Sequence, residues 1–238
     1  MTEGHAYQVT AEFYDLLQAT QEDSVAQRLL GRWLGVPKIG VIDAGAGTGL
    51  VTARLARLCE VTVHAIEPAA QMRAILLSRL AGRKEELARV RVHARRIEEL
   101  GLTRVADFGW CLNTLACLDH KARSRALGAL ARAMVAGGTL VLQRPPARHD
   151  PGRSDLARLE LGGDTYSGEV ICTELDVRTV QWRFVYRVSR EGALIREASE
   201  TFTGYLATEA ELDEQLDAAG FVPVGADEPD IVIAKRKG

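Results

Sequence analysis

The stretch that most constrains this chain is Val41-Ile42-Asp43-Ala44-Gly45-Ala46-Gly47-Thr48-Gly49-Leu50. Lys38 to Asp43 carry a short apolar run that reads as a strand, and beyond the glycines Leu50, Leu55 and Leu58 recur at helical spacing. Strand, glycine turn and helix open a Rossmann-like unit, which holds a nucleotide-type ligand at the strand's carboxyl end. Three glycines at alternate positions let the chain turn sharply and let a ligand approach the backbone. The dinucleotide spacing G-x-G-x-x-G is not met, because the third residue after Gly47 is Leu50. The pattern present is D-x-G-x-G-x-G.

Further signals follow in order. Val61 to Ile66 is a second apolar strand, with Glu67 at its carboxyl end and Pro68 next. An acid placed there can accept hydrogen bonds from both hydroxyls of a ribose. Gln71 to Ala81 reads as a helix, Val90-Arg91-Val92 as a short third strand, and Val105 to Leu112 as a fourth. A helix over 121–135 then leads through Gly137-Gly138 into a fifth strand ending near Leu142.

The glycine turn, Glu67-Pro68-Ala69-Ala70-Gln71-Met72, the fourth strand and Met134 to Leu142 together resemble the class I S-adenosylmethionine (SAM) methyltransferases over roughly residues 38–145. The resemblance implies SAM as cofactor. It places Asp43, Gly45, Ala46, Gly47 and Gly49 on the methionine part, and Glu67, Pro68 and Met72 on the ribose side. Arg96 and Ile97 would neighbour the adenine, and Asn113 and Leu115 would face the methionine end. Asp43 would pair with or water-bridge the ammonium, and N–H groups near Gly49 would meet the carboxylate. Two departures from the family text matter. Where the family has Gly-Asp after the third strand, with the acid on the adenine amine, this chain has Ala94-Arg95-Arg96. A guanidinium cannot accept a hydrogen bond, which leaves a backbone group, Glu98, or packing by Met72 and Ile97. Many relatives also carry a histidine about where Cys117 stands; the nearest here is His120.

Composition narrows the function classes. With 238 residues and 47% hydrophobic, the chain suits one globular domain with a substantial core. Thirty basic against thirty-two acidic residues give a net charge of −2, so no bulk basic field favours nucleic acid. Cys59, Cys111, Cys117 and Cys172 lie in apolar surroundings, lack C-x-x-C spacing and read as buried free thiols, with no metal site expected. No apolar run nears the ~20 residues needed to span a bilayer, and no signal peptide is evident. A cytoplasmic protein without membrane or nucleic-acid partners is expected, with a homodimer left open.

The flanks complete the reading. Residues 1–20 hold His5, Tyr7, Phe13, Tyr14 and Asp15, similar to the Tyr-x-Tyr-Asp-type segment that folds over the cofactor as a lid in small-molecule methyltransferases. Asp23 to Leu34 follows as a helix, capped by Asp23 or Ser24 and closed by Gly35 and Pro37. Pro145-Pro146 stops the sheet, and residues 147–164 read as irregular. Three antiparallel strands come next, Tyr166 to Val177, Thr179 to Val188 and Ala193 to Tyr205. In the middle one Trp182, Phe184, Tyr186 and Val188 alternate with Gln181, Arg183 and Arg187. This meander resembles the substrate-covering or dimerising insert of small-molecule N- and O-methyltransferases, including those acting on nucleotide-linked amino sugars. It is expected to act separably from cofactor binding. Thr208 to Glu211 is a capping box for a helix ended by Gly220, and Phe221 to Val224 and Ile231 to Ala234 are the last strands.

The expected architecture is α/β: a Rossmann-like, seven-stranded, mostly parallel sheet with helices on both faces and an antiparallel meander inserted after strand five. One domain spans 1–238, divided into a lid and helix (1–37), a cofactor-binding core (38–145), a substrate cap (146–206) and a C-terminal helix with two strands (207–238).

Methyl transfer demands alignment and exclusion of water, so a general base is optional. Tyr14, Arg144, Tyr166 and Trp182 are the candidate acceptor walls, with Arg148 and His149 at the root of the meander. No catalytic residue declares itself. His120, His149 and Tyr14 are the candidates, although His120 reads more naturally, with Asp119, as a capping residue of the following helix. The resulting expectation is transfer to nitrogen or oxygen of a small acceptor, such as a secondary metabolite. A SAM-binding, inactive partner subunit is the rival. The glycine spacing disfavours a dehydrogenase, and the lack of a basic stripe or an Asn-Pro-Pro-Tyr-type motif disfavours RNA and protein substrates.

Overall fold

The computed structural model describes residues 6–148 and 151–238. Two helices open the chain, α1 (Thr10–Leu17) and α2 (Ala19–Trp33). The core then alternates β1 (Gly40–Ala44), α3 (Leu50–Leu58), β2 (Thr62–Ile66), α4 (Ala70–Ala81), α5 (Lys84–Arg89), β3 (Val90–His93), β4 (Ala106–Cys111), α6 (His120–Ala133) and β5 (Met134–Gln143). Short 3-10 turns occupy Ile97–Glu99 and Leu115–Cys117. Beyond β5 lie β6 (Gly152–Asp155), β7 (Leu159–Leu161), β8 (Asp164–Asp176), β9 (Thr179–Arg190) and β10 (Ala193–Tyr205). The chain ends in α7 (Glu209–Ala219), β11 (Phe221–Glu228) and β12 (Ile231–Arg236).

The main sheet is seven-stranded in the order β11-β12-β5-β4-β1-β2-β3. Strands β1 to β5 pair in parallel, while β12 inserts antiparallel between β5 and β11. All five residues of β1 are buried, as a strand covered by helices on both faces must be. Separate apolar clusters fill the two faces, one around Ile42, Ile66, Leu127, Leu130 and Leu142, the other around Val41, Leu55, Val63, Leu76 and Val141. The order reverses between β1 and β4, so a switch point opens at their carboxyl ends.

The second sheet runs β10-β9-β8-β6, with β7 also on β8. Even-numbered residues of β8 and β9 present Tyr166, Trp182, Phe184 and Tyr186 on one face, in the expected alternation. Arg187 on the other face joins Glu169, Arg153 and Glu197 in an ion-pair network.

Five local expectations need correction. Cys59 and Cys111 are buried as read, but Cys117 is exposed and Cys172 half-buried. The second helix starts at Ala19, before Asp23 and Ser24, and no side chain caps it. Only Gln18 interrupts the two N-terminal helices, and Glu22 N–H bonds its carbonyl at 3.3 Å. The helix expected over 121–135 ends at Ala133, because Met134 already pairs with Ala106 in the sheet. Residues 152–155 and 159–161 are short strands rather than irregular chain, recruited by the long partner β8. Helix α5 was not expected at all; it buries no residue and so shows no apolar period. The capping box of α7 forms as read, with Thr208 and Glu211 bonding reciprocally and Gly220 left-handed at its end.

Candidate functional site

The turn after β1 is built from three left-handed glycines, with φ of 79° at Gly45, 54° at Gly47 and 78° at Gly49. They are not equivalent. A Cβ on Gly45 would lie 2.1 Å from Thr114 Oγ1, and one on Gly49 would lie 2.6 Å from Leu76 Cγ. A Cβ on Gly47 would meet nothing within 4 Å. Packing within the protein thus accounts for the outer two, and Gly47 presents bare backbone to open space, as a ligand cradle requires. The N–H groups of Gly45 and Ala46 bond the Ile66 carbonyl at 3.0 and 2.9 Å, which fixes the turn against the end of β2.

Glu67 stands at that strand end, 6% exposed. Its carboxylate accepts from Gly47 N–H at 2.9 Å and from Ala69 N–H at 2.7 Å. Burial raises its pKa, and the two N–H donors oppose the rise. Pro68 is exposed beside it, and Arg73 bonds the carbonyls of both residues. Asp43 is 2% exposed and accepts from the Thr52 hydroxyl at 2.6 Å. Burial pushes its pKa up to about 7, with the Thr52 bond acting the other way.

Across the cleft, Met72 and Ile97 are both buried. Arg95 is exposed and reaches only the Glu99 carbonyl, at 3.5 Å. Arg96 lies over Glu98 Oε1 at 3.4 Å, and Glu98 Oε2 is sealed from solvent with no donor. A buried carboxylate oxygen left unpaired is uncommon and marks a place for a missing donor. The residues present therefore fit an adenosyl ligand: a bare backbone cradle, a buried acid at the end of the neighbouring strand, and an unpaired acceptor after β3.

At the end of β4, Asn113 has φ of 54°, a left-handed conformation unusual for a residue other than glycine. Its side-chain amide donates to Glu22 Oε1 at 3.0 Å, and the Tyr14 hydroxyl donates to the same oxygen at 2.6 Å. Burial raises the Tyr14 pKa well above its ordinary value, with Glu22 adding to the rise. Leu115 is buried in the adjoining 3-10 turn. Glu22 was not singled out in the sequence; it looks like an ordinary charge in a helical first turn.

Helix α1 closes this end. Asp15 accepts from the Thr48 hydroxyl at 2.7 Å and pairs with Arg79, whose Nε donates to the Thr48 carbonyl at 3.0 Å. From the opposite side Glu200 of β10 accepts from the N–H groups of Gln8, Val9 and Thr10 at 3.0, 3.2 and 2.8 Å. Phe13 stacks on Tyr186 at 4.6 Å, and Tyr7 meets Phe202 at 4.8 Å. Helix α1 is thereby fastened to both the glycine turn and the meander.

The remaining candidates scatter. Tyr166 packs with Phe13, Tyr186 and Val188, its ring centroid 6.3 Å from that of Phe13. Trp182 lies over Gly204, where a Cβ would come within 2.4 Å of the indole. Arg144 turns to α7, pairing with Asp213 at 3.1 Å. His120 is exposed in the first turn of α6, which Asp119 caps by accepting from Ala122 N–H at 2.7 Å. His149 lies outside the described residues. Among the described residues no cluster of His, Cys, Asp and Glu is arranged to hold a metal. No helix among them is long and apolar enough to cross a membrane.

Comparison with known proteins defines the class. Residues 41–138 match the model of a family described as a methyltransferase domain. No curated protein matches the sequence. Solved structures do match in fold. CcbJ methyltransferase from Streptomyces caelestis is 20% identical, with each chain covered in full and a TM-score of 0.75. The sugar N-methyltransferase KedS8 from Streptoalloteichus sp. is 22% identical, covering 99% of this chain and 94% of that one, with a TM-score of 0.73. SAM-bound CalS10, an amino pentose methyltransferase from Micromonospora echinaspora, is 24% identical over 91% of each chain, with a TM-score of 0.70. The chain has the fold of the class I SAM-dependent methyltransferases. Within that fold, residues 41–138, which match the methyltransferase-domain model, hold the glycine turn, Glu67 and the end of β4.

Proposed function

We propose that this chain transfers a methyl group from SAM to nitrogen or oxygen of a small acceptor, as one functional domain in which lid, core and meander enclose the reaction. The observation that carries the reading is Gly47, whose open backbone face lies within the matched domain beside Glu67. When bound, SAM supplies an electrophilic sulfonium methyl. The chain's own residues bind and orient it. Asp43, Gly45, Ala46, Gly47 and Gly49 would hold its methionine part, with Glu67, Pro68 and Met72 along the ribose. Arg96 and Ile97 would flank the adenine, and Glu98 Oε2 would accept from its amine. Asn113 and Leu115 would border the methyl end. Tyr14, Arg144, Tyr166 and Trp182 remain the proposed acceptor-side residues; Tyr14 and Asn113 share the partner Glu22, which supports Tyr14 in that role.

A small acceptor fits the covering meander, whose aromatic face would supply apolar wall. The three structural neighbours named above, two of them described as sugar methyltransferases, support the same class of acceptor. A cytoplasmic homodimer is the assembly we propose, since pairing would cover Leu159, Leu161, Leu194 and Ile195, all exposed on the meander. Two measurements test the function. SAM and S-adenosylhomocysteine should bind wild-type protein by calorimetry, and Glu67→Ala should weaken binding by about 1.5–3 kcal/mol while the protein stays folded. A screen of small amines, phenols and acids with methyl-labelled SAM, read by product mass, should find an acceptor. Unchanged affinity in Glu67→Ala would overturn the placement of the cofactor.

A further inference from the structure

We infer that Glu22 is the acceptor-side carboxylate of this site: its Oε2 binds the ammonium form of an amine acceptor and takes one proton from it. The inference rests on the small-acceptor reading above and narrows that reading to amines.

Three elements converge on this side chain. Tyr14 reaches it from α1, Asn113 from the carboxyl end of β4, and Glu22 itself projects from the first turn of α2. Both donors land on Oε1, so Oε2 has no donor among the described residues. Two bonds to one oxygen fix the orientation of the carboxylate while leaving the other oxygen available. An acid that merely completes a helical first turn needs neither partner. Here, moreover, one partner, Asn113, presents its amide from a left-handed turn at the end of β4.

Charge points to the kind of ligand. The groups facing Glu22 are Tyr14 and Asp15 of α1 and Asn113 after β4, and none is a cation. Burial raises the Glu22 pKa foremost, Asp15 adds to the rise, and the Tyr14 and Asn113 bonds oppose it. A partly buried carboxylate without a counter-ion is costly in its charged form, and a cationic ligand would offset that cost. One turn back, Gln18, whose carbonyl receives the Glu22 N–H, has a buried side-chain nitrogen with no acceptor. The corner is thus polar and incompletely paired where the switch point opens. In the proton transfer one N–H bond of the ammonium breaks and an O–H bond forms on Oε2. The nitrogen keeps the electron pair it needs as nucleophile. The proton returns to water after the product leaves.

The test uses the full chain saturated with S-adenosylhomocysteine, with cyclohexylamine and its neutral isostere cyclohexanol as probes in titration calorimetry. Wild-type protein should bind the amine at least about tenfold more tightly than the alcohol. Glu22→Gln keeps an oxygen for Tyr14 and Asn113 and removes the charge, so the preference should fall to within about twofold. Its affinity for S-adenosylhomocysteine should not change. Independently of any variant, affinity of wild-type protein for the amine should fall as pH is lowered and the carboxylate protonates, sooner than for an ordinary Glu because burial raises its pKa, while that for the alcohol stays level. No amine preference in protein that binds S-adenosylhomocysteine, or a preference that survives in folded Glu22→Gln, overturns the assignment. Failure to bind S-adenosylhomocysteine overturns instead the methyltransferase reading beneath it.

Discussion

The acids of the cleft show how single residues trade stability against readiness for a ligand. Asp43 keeps its proton to about pH 7 in the folded chain, whereas an unfolded Asp ionises near pH ~4. Between those values the folded state binds more protons, so this residue lowers stability as pH rises through that window. Asp43→Asn retains an acceptor for Thr52 and should raise the melting temperature at pH 8 by more than at pH 5. Melts at the two pH values check the sign; an equal shift at both would show that Asp43 is ionised throughout. Glu98 makes a similar case. Glu98→Ala removes a sealed, unpaired oxygen and should leave stability unchanged or improved, yet weaken SAM binding by about 1.5–3 kcal/mol. Arg95→Ala should change affinity little, because Arg95 is exposed and bonds only a carbonyl of its own loop. Calorimetry on the two variants separates the roles. A tenfold loss in Arg95→Ala would place the guanidinium in the site.

Among the elements, α1 has the most partners of consequence. The sequence reading treats the meander as separable from cofactor binding, but α1 is fastened to both by Asp15 on one side and Glu200 on the other. Glu200→Ala would strip three amide groups at the helix start of their acceptor, at about 0.5–2 kcal/mol for a lost cap. The expected outcome is faster hydrogen exchange at Gln8, Val9 and Thr10 together with weaker binding of SAM. Faster exchange without any loss of affinity would show that the lid is independent of the cofactor. Tyr186→Ala, which removes the ring stacked on Phe13, should destabilise the protein by about 3–5 kcal/mol, measurable in urea. These couplings explain what was legible in the sequence. The glycine turn, Glu67 and the parallel core announce themselves through spacing within a few residues. Glu22 does not, because its partner Asn113 is 91 residues away, and Glu200 does not, because it caps amides 190 to 192 residues earlier. Strands β6 and β7 were hidden for another reason: every residue in them is exposed, so no face alternates.

At the scale of the whole molecule, two sheets with different tasks share one cleft. The parallel sheet supplies fixed backbone at its switch point, and the antiparallel sheet supplies an aromatic face that the sequence pattern of Trp182 to Val188 already showed. The N-terminal helix is tied to both, through Asp15 to Thr48 and through Glu200 to the amides of its start. That arrangement has a kinetic consequence. A helix held at both ends releases ligands only when both fastenings let go, so departure would be slower than methyl transfer and would pace turnover. Rapid mixing should therefore show a burst of about one equivalent of methylated product in the first turnover, then a slower steady rate. Loosening one fastening, as in Glu200→Ala, should shrink the burst. A linear trace from the start in the wild-type protein would mean that the gate opens freely and chemistry sets the pace.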